Sequence, residues 1–207
     1  MEQTARKEPM TFTDFLRKKF KYLLDPVAAL LNRIGLMPNT VTILGLVGNA
    51  VGAYLLATGH ITAGGIVIML MGPIDALDGT MARLRGEPTD FGAFVDSVTD
   101  RYSELVIYLG LMVYYIQQQN QLACALIFLA AAGSVMVSYI RARAQSVGMD
   151  TKVGVFTRVE RFIVLAPCLI INQPMIALWA IAVLANFTAL QRIYHVRRQA
   201  IEKHVHH

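Results

Sequence analysis

Residues 75–100 read DALDGTMARLRGEPTDFGAFVDSVTD, and four of their five aspartates lie within the adjoining ends of two apolar runs, while Asp90 belongs to the loop between them. Charged side chains inside a membrane are costly, so acids in this setting indicate a functional site. Helical periodicity puts Asp75 and Asp78 on one face of the first helix. It likewise puts Asp96 and Asp100 on one face of the second helix. Because the connecting loop is short, we expect antiparallel neighbouring helices whose four carboxylates converge in one cavity.

Apolar runs of bilayer length extend along the rest of the chain. Of the 207 residues, 55% are hydrophobic and only 16% are charged, whereas an average soluble domain has about 25% charged residues. Runs of about 20 apolar residues are long enough to span a membrane, and the sequence predicts six of them. The fold class is therefore predicted to be an all-α integral membrane protein with six transmembrane helices. The predicted spans cover about Thr40–Thr58, Ile61–Arg83, Phe91–Ile116, Leu122–Ser146, Arg161–Ile171 with flanks starting near Thr157, and Met175–Tyr194.

The positions of lysine and arginine predict the orientation of these spans. Basic residues occur only in segments that lie on one side of a membrane crossed six times, and the opposite connections carry no acid or base. By the positive-inside rule, both termini and the acid cluster of this multi-pass cell-membrane protein face the cytoplasm. Because the charge lies at helix ends, the net charge of +5 indicates topology and no nucleic-acid partner. The basic segments are Arg6–Arg33, Arg83–Arg101, Arg141–Arg161 and Arg192–Lys203.

The N-terminal part of the chain differs in composition from the rest. We predict a cytoplasmic or interfacial amphipathic segment over residues 1–38 and a transmembrane catalytic domain over residues 39–207. The stretch Thr11–Leu36 mixes large apolar residues with basic ones, which is typical of a helix in the membrane interface. A helix packed on the protein is an equally open interpretation. Pro38 is expected to end this segment. The sequence leaves open whether the closing His206-His207 is native.

The four aspartates predict a metal site. Like charges in a low-dielectric cavity need cations to neutralise them, and carboxylate oxygens suit hard ions such as Mg²⁺ and Mn²⁺. The two aspartate pairs would accommodate two ions about 3.5–4 Å apart. Gly79 and Gly92 leave the backbone without a side chain beside the acids, so a phosphate or nucleotide could approach there. Two other interpretations are a buried ion-pair network with Arg83 and Arg101, and a membrane cation or proton transporter.

The spacing of these residues resembles the signature of the CDP-alcohol phosphotransferase family. The resemblance implies a six-helix membrane enzyme, usually a homodimer, that transfers a substituted phosphoryl group from a CDP-linked donor to an alcohol while CMP leaves. It also implies that Asp75, Asp78 and Asp96 bind metal, and that Asp100 is a ligand or the base for the acceptor hydroxyl. Gly79, Ala82, Arg83 and Gly92 would line the nucleotide site. The matching pattern is Asp75-x-x-Asp78-Gly79-x-x-Ala82-Arg83, eight residues, then Gly92-x-x-x-Asp96-x-x-x-Asp100.

Within that family, several stretches resemble prokaryotic phosphatidylinositol phosphate synthases. The resemblance implies CDP-diacylglycerol as donor and inositol phosphate, or another polar alcohol, as acceptor. A phosphatidylserine or phosphatidylglycerol phosphate synthase stays open as an alternative. An acceptor that carries a phosphate needs a basic pocket, although any single arginine could also follow only the positive-inside rule. The resembling stretches are Asp75–Gly79, Phe91–Ser97, Asp100-Arg101 and Arg158–Arg161. The candidate acceptor-binding residues are Arg143, Arg158, Arg161 and Arg192.

Overall fold

The computed structural model describes residues 24–86, 89–151 and 153–205, and within these ranges the chain forms seven helices and no strand. The first half of the predicted interfacial stretch Thr11–Leu36, residues 11–23, lies outside the described residues. Its described end is helical over residues 24–33, which we call α1. The other helices are α2 (Pro38–Ala57), α3 (Ile61–Arg85), α4 (Asp90–Gln117), α5 (Gln121–Ser146), α6 (Arg158–Ile170) and α7 (Pro174–Val205).

Local sequence signals account for the helix starts that border the site. The sequence suggested that Pro38 ends the preceding segment. In the structure Met37 is the N-cap, and Pro38 is also the first residue of α2. Proline suits that position, since its fixed φ is helical and its missing N–H would have no partner there. The helix α6 begins after Thr157, which is the early start that a longer fifth span would need. Thr157 and Glu160 form a capping box, in which the Glu160 carboxylate accepts from the Thr157 backbone N–H at 2.8 Å.

The six longer helices pack as a closed ring. Going round it, α3 packs on α2, α2 on α4, α4 on α5, α5 on α7, α7 on α6, and α6 on α3. The expectation that α3 and α4 are direct neighbours is wrong, because α2 packs closely on both of them and they have little close backbone contact with each other. Glycines permit this arrangement. A Cβ on Gly64 would lie 2.8 Å from the Gly52 carbonyl oxygen, and one on Gly110 would lie 2.3 Å from that of Ala53.

The surfaces of these helices are those of a membrane protein. Four of the described helices, α2, α3, α5 and α7, are long and apolar enough to cross a bilayer. Large apolar side chains such as Ile43, Val47 and Tyr54 point outward from α2, as lipid-facing residues do. The helix α4 has bilayer length but carries the acids, and α6 has only 13 residues. Six spans therefore stay a prediction, since a span needs about 20 residues.

The buried apolar residues leave one end of the ring to polar groups. The main apolar cluster includes Leu56, Ile68 and Leu111, and it fills the ring away from the four aspartates. A second cluster packs α1 against α2 and α3 through Ala28 and Met81. Apolar packing thus holds the acid-bearing end of α3 against α1 and α2, and a polar cleft lies between α3 and α4.

Candidate active site

The α3 aspartates face α2 and the cleft. Asp78 is 5% exposed, and its Oδ2 accepts a hydrogen bond of 2.5 Å from the Thr42 hydroxyl on α2. Asp75 lies one turn deeper, against the backbone of Gly45, where an added Cβ would approach Asp75 Oδ1 to 2.6 Å. A helix backbone without a side chain therefore makes room for the Asp75 carboxylate. Sequence reasoning did not assign a role to Thr42, although a polar residue in an apolar span is a usable signal.

The α4 acids line the opposite side of the same cleft. Asp96 lies within electrostatic range of Asp75, Asp78 and Asp100. The start of α4 is fixed by Thr89, whose hydroxyl accepts from the backbone N–H of Gly92 at 3.0 Å. The four aspartates thus share one region, although α3 and α4 are not packed directly on each other. The electrostatic repulsion among these acids makes the cleft a strong site for positive charge.

One arginine of α6 bridges the two acid-bearing helices. Arg158 donates from Nη2 to Asp75 Oδ2 and from Nη1 to Asp100 Oδ2, with both distances at 2.7 Å. Its side chain is 36% exposed and lines the cavity beside these two acids. Arg158 was predicted from the sequence as an acceptor-binding residue, and the structure places it directly among the acids.

One helix turn further along, a second arginine pairs with Glu104, which follows Asp100 by four residues on α4. Arg161 is 2% exposed and makes a bidentate pair with Glu104, at 2.6 Å for Nε–Oε1 and 3.0 Å for Nη2–Oε2. The cavity beneath Asp75 and Asp100 is lined by both arginines together with Asn49 and Ser103. Asn49 was missed in the sequence, where the signal is an amide in the middle of an apolar span.

The two other predicted acceptor residues lie away from the acids. Arg143 donates to the Ser146 hydroxyl at 3.1 Å on an exposed turn of α5. Arg192 is 4% exposed and donates to the carbonyl oxygens of Val153, at 3.0 Å, and Val137, at 2.6 Å. The structure therefore brings Arg158 and Arg161 to the cleft and gives Arg143 and Arg192 different neighbours.

The predicted nucleotide-lining residues lie near the adjoining ends of α3 and α4. Among the described residues, a Cβ on Gly79 would approach only the Arg83 side chain, at 3.4 Å. Arg83 donates to the Thr80 hydroxyl at 2.9 Å, and Ala82 lies in the same turn of α3. A Cβ on Gly92 would meet Thr89 Oγ1 at 3.0 Å. The Gly79 backbone is thus accessible to a group that approaches closely.

The carboxylates supply the donor atoms of a candidate metal site. No three acid, histidine or cysteine side chains of the described ranges gather round one point suited to an ion. The reason is that Asp75 and Asp100 point to Arg158 and Asp78 points to Thr42. The donor set nevertheless fits Mg²⁺ or Mn²⁺, because it consists of carboxylate oxygens on facing helices that already bind a cationic group in common.

Comparison with known proteins agrees with this site. The family model described as CDP-alcohol phosphatidyltransferase matches residues 35–191, which include all four aspartates and both arginines of the cleft. The chain belongs to this family. It is therefore an enzyme of the CDP-alcohol phosphatidyltransferase class, and the transporter interpretation no longer applies.

Two relatives are similar to this chain along most of their length. A phosphatidylinositol phosphate synthase of Streptomyces avermitilis is 35% identical, over 91% of this chain and 83% of that protein. An archaetidylinositol phosphate synthase of Pyrococcus horikoshii is 31% identical, over 89% of this chain and 96% of its own.

Solved structures of a third family member have the same fold. The phosphatidylinositol phosphate synthase of Mycobacterium tuberculosis with CDP-DAG bound has a TM-score of 0.80 and 31% identity, covering 84% of this chain and 94% of that one. The same enzyme in complex with manganese and citrate has a TM-score of 0.78 and 32% identity, covering 84% and 88%.

Proposed function

We propose that this chain is a phosphatidyltransferase that moves the phosphatidyl group of CDP-diacylglycerol to inositol phosphate and releases CMP. The observation that carries the proposal is Arg158, a partly exposed cationic group between two aspartates of the family signature. Such a group suits an acceptor that brings its own phosphate to the acids. The relatives named phosphatidylinositol phosphate synthase support the same donor and acceptor.

Divalent ions would be held by the four aspartates. Asp75 and Asp78 would supply oxygens from α3, and Asp96 and Asp100 would supply them from α4. These residues would hold Mg²⁺ or Mn²⁺, which we propose as two ions, and the metal would supply positive charge for the donor pyrophosphate and for the departing CMP. The manganese complex of the Mycobacterium tuberculosis enzyme supports this choice of metal.

The protein's own side chains would then direct a single displacement. The acceptor hydroxyl oxygen forms a bond to the phosphorus that carries diacylglycerol, and the bond from that phosphorus to the CMP oxygen breaks. Asp100 accepts the hydroxyl proton, because it lines the inner cavity one turn deeper than Asp96. Gly79, Ala82, Arg83 and Gly92 line the cytidine diphosphate, with Gly79 giving backbone access.

Arg158 is the proposed contact for the acceptor phosphate. It is the more exposed of the two cleft arginines, and a guanidinium can bind a phosphate with two hydrogen bonds. Arg161 is buried in its pair with Glu104. Arg143 and Arg192 lie away from the acids, where they donate to Ser146 and to backbone carbonyls. We therefore propose Arg158 as the principal acceptor residue and assign the other three no direct contact with the acceptor phosphate.

The wider arrangement is proposed from the sequence and the family. We propose six membrane spans over residues 39–207, both termini and the active site at the cytoplasm, and a homodimer. Residues 1–38 would form the cytoplasmic or interfacial segment. Placement of the basic residues supports this orientation. The orientation is tested by placing single cysteines in the two termini of the chain and treating right-side-out vesicles with a membrane-impermeant thiol reagent. Cytoplasmic termini stay unlabelled. Light scattering of the detergent complex tests the dimer.

An acceptor panel tests the proposed function. Purified protein is incubated with CDP-diacylglycerol, Mn²⁺ and one of inositol phosphate, glycerol phosphate, serine or unphosphorylated inositol, and CMP release is measured. The proposal expects inositol phosphate to give the highest kcat/KM. Preferential use of serine would make the chain a phosphatidylserine synthase, and preferential use of glycerol phosphate a phosphatidylglycerol phosphate synthase.

A further inference from the structure

We infer that Glu104 is a positioning residue, which acts through Arg161 to hold Arg158 in place between Asp75 and Asp100. The inference rests on the proposed function, because it assigns Arg158 to the acceptor. Glu104 lies outside the family signature read from the sequence. It follows Asp100 by four residues on α4, as Arg161 follows Arg158 by three on α6.

Two successive ion pairs connect α4 to α6. Asp100 pairs with Arg158, and one turn further Glu104 pairs with Arg161. The backbones of α4 and α6 have little close contact, and each helix packs instead on other members of the ring. Apolar side chains of both helices share the main buried cluster, and the two ion pairs add the polar connection across the cleft. The ion pairs therefore fix how the arginines of α6 face the acids of α4.

The inner pair has the geometry of a fixed connection. All three guanidinium nitrogens of Arg161 have acceptors, two on Glu104 and the third on the Phe156 carbonyl oxygen at 3.5 Å. Glu104 is also within hydrogen-bonding reach of the buried Ser134 hydroxyl on α5. The bidentate arrangement restricts both side chains, so it fixes orientation as well as distance.

The outer arginine has the opposite properties. Arg158 is partly exposed, whereas Arg161 is 2% exposed. Binding an acceptor phosphate at Arg161 would require it to release Glu104 and leave a buried carboxylate without its partner, which is strongly unfavourable. Arg158 can meet a ligand from the open cleft. The two arginines of α6 thus divide into one that contacts the acceptor and one that sets its position.

A mutant cycle tests this division. Glu104→Gln leaves Arg161 buried without a carboxylate and can prevent folding, so the main variant is Glu104→Met with Arg161→Met, which removes both charges and retains volume. Arg158→Met is made alone and in this background. Acceptor KM, CDP-diacylglycerol KM, kcat and the melting temperature in detergent are measured. The control is Arg198→Met with Glu202→Met, an exposed ion pair on α7 at 2.9 Å.

The positioning role predicts a specific combination of results. The paired methionine variant folds, its acceptor KM rises about tenfold or more, and its donor KM changes less than about threefold. Arg158→Met then raises acceptor KM strongly in wild type and little in the paired variant, because the two changes act on one contact. The control retains both KM values.

Two results would overturn the inference. Additive effects of the paired variant and Arg158→Met on acceptor KM would mean that Glu104 and Arg161 do not act through Arg158. The proposed function would still stand in that case, provided that the wild type transfers the phosphatidyl group normally. An unchanged acceptor KM in the folded paired variant would also show that Glu104 and Arg161 do not position Arg158. If wild type releases no CMP with any acceptor, the proposed function is wrong and the positioning role falls with it.

Discussion

Arg158 Nη2 lies 2.7 Å from Asp75 Oδ2, although 83 positions of sequence separate the two residues. The same guanidinium reaches Asp100 on α4, so a single side chain of α6 connects both acid-bearing helices. This contact links the part of the site assigned to metal with the part assigned to the acceptor phosphate. Several of the following predictions depend on it.

Arg158→Gln should tighten metal binding while it weakens acceptor binding. The guanidinium and a divalent ion compete for the same oxygens of Asp75 and Asp100, so its removal should lower the Mn²⁺ dissociation constant about tenfold, or ~1.4 kcal/mol. Electron paramagnetic resonance of free Mn²⁺ measures this without any substrate. Arg198→Gln removes an equal charge from the exposed part of α7 and should have no effect. Unchanged or weaker Mn²⁺ binding in Arg158→Gln would contradict the competition.

Gly45→Ala should impair the site through Asp75. The new methyl group would lie 2.6 Å from Asp75 Oδ1, closer than van der Waals contact permits, so the carboxylate has to move. We expect kcat/KM to fall by up to about 10²-fold, the cost of a ~1 Å misplacement near reacting groups. Ala50→Val adds bulk to the exposed side of α2 and serves as the control. Full activity of Gly45→Ala with normal Mn²⁺ binding would show that Asp75 needs no such clearance.

The sequence predicted the helices better than their arrangement. The apolar run of α3 was expected over Ile61–Arg83 and is helical over Ile61–Arg85, because bilayer-length runs are a strong local signal. The separation of α3 from α4 could not be predicted in this way. The helix α4 packs instead on α2, where Gly110 closely approaches the Ala53 carbonyl oxygen, a contact between residues far apart in sequence.

Sequence reasoning also found the acids more readily than the roles of the arginines. Aspartates inside an apolar run are conspicuous because burial makes them costly, and their fixed spacing resembles a family signature. Basic residues at the cytoplasmic ends of spans are common for topological reasons, so Arg143 and Arg158 look equivalent in the sequence. Only the fold distinguishes Arg158, which meets Asp75 and Asp100, from Arg143, which meets Ser146.

Removal of divalent metal should abolish turnover reversibly. Excess chelator should reduce CMP release to background, and added Mn²⁺ or Mg²⁺ should restore it, because four neighbouring carboxylates need cations to receive a pyrophosphate. Asp75→Asn, Asp78→Asn and Asp96→Asn should each weaken Mn²⁺ binding and turnover together. A chelator-resistant enzyme would exclude the metal assignment. Retained Mn²⁺ affinity in one variant would remove that aspartate from the ligand set.

Asp100→Asn should separate proton transfer from binding. Asparagine has nearly the same shape but does not accept a proton at neutral pH, so kcat should fall by ~10²–10⁴, the usual contribution of a general base. The KM for CDP-diacylglycerol should stay within about threefold of wild type. Parallel loss of Mn²⁺ affinity, donor affinity and turnover would instead leave Asp100 as a metal ligand without the role of general base.

The most direct test of the proposed function is the fate of the acceptor. Inositol phosphate labelled in its ring is incubated with CDP-diacylglycerol, Mn²⁺ and purified protein, and label in the extracted lipid is compared with CMP released. The account predicts one labelled lipid formed for each CMP, with neither product in the presence of chelator. CMP release without label in the lipid would mean hydrolysis of the donor or transfer to another acceptor, and it would contradict the account.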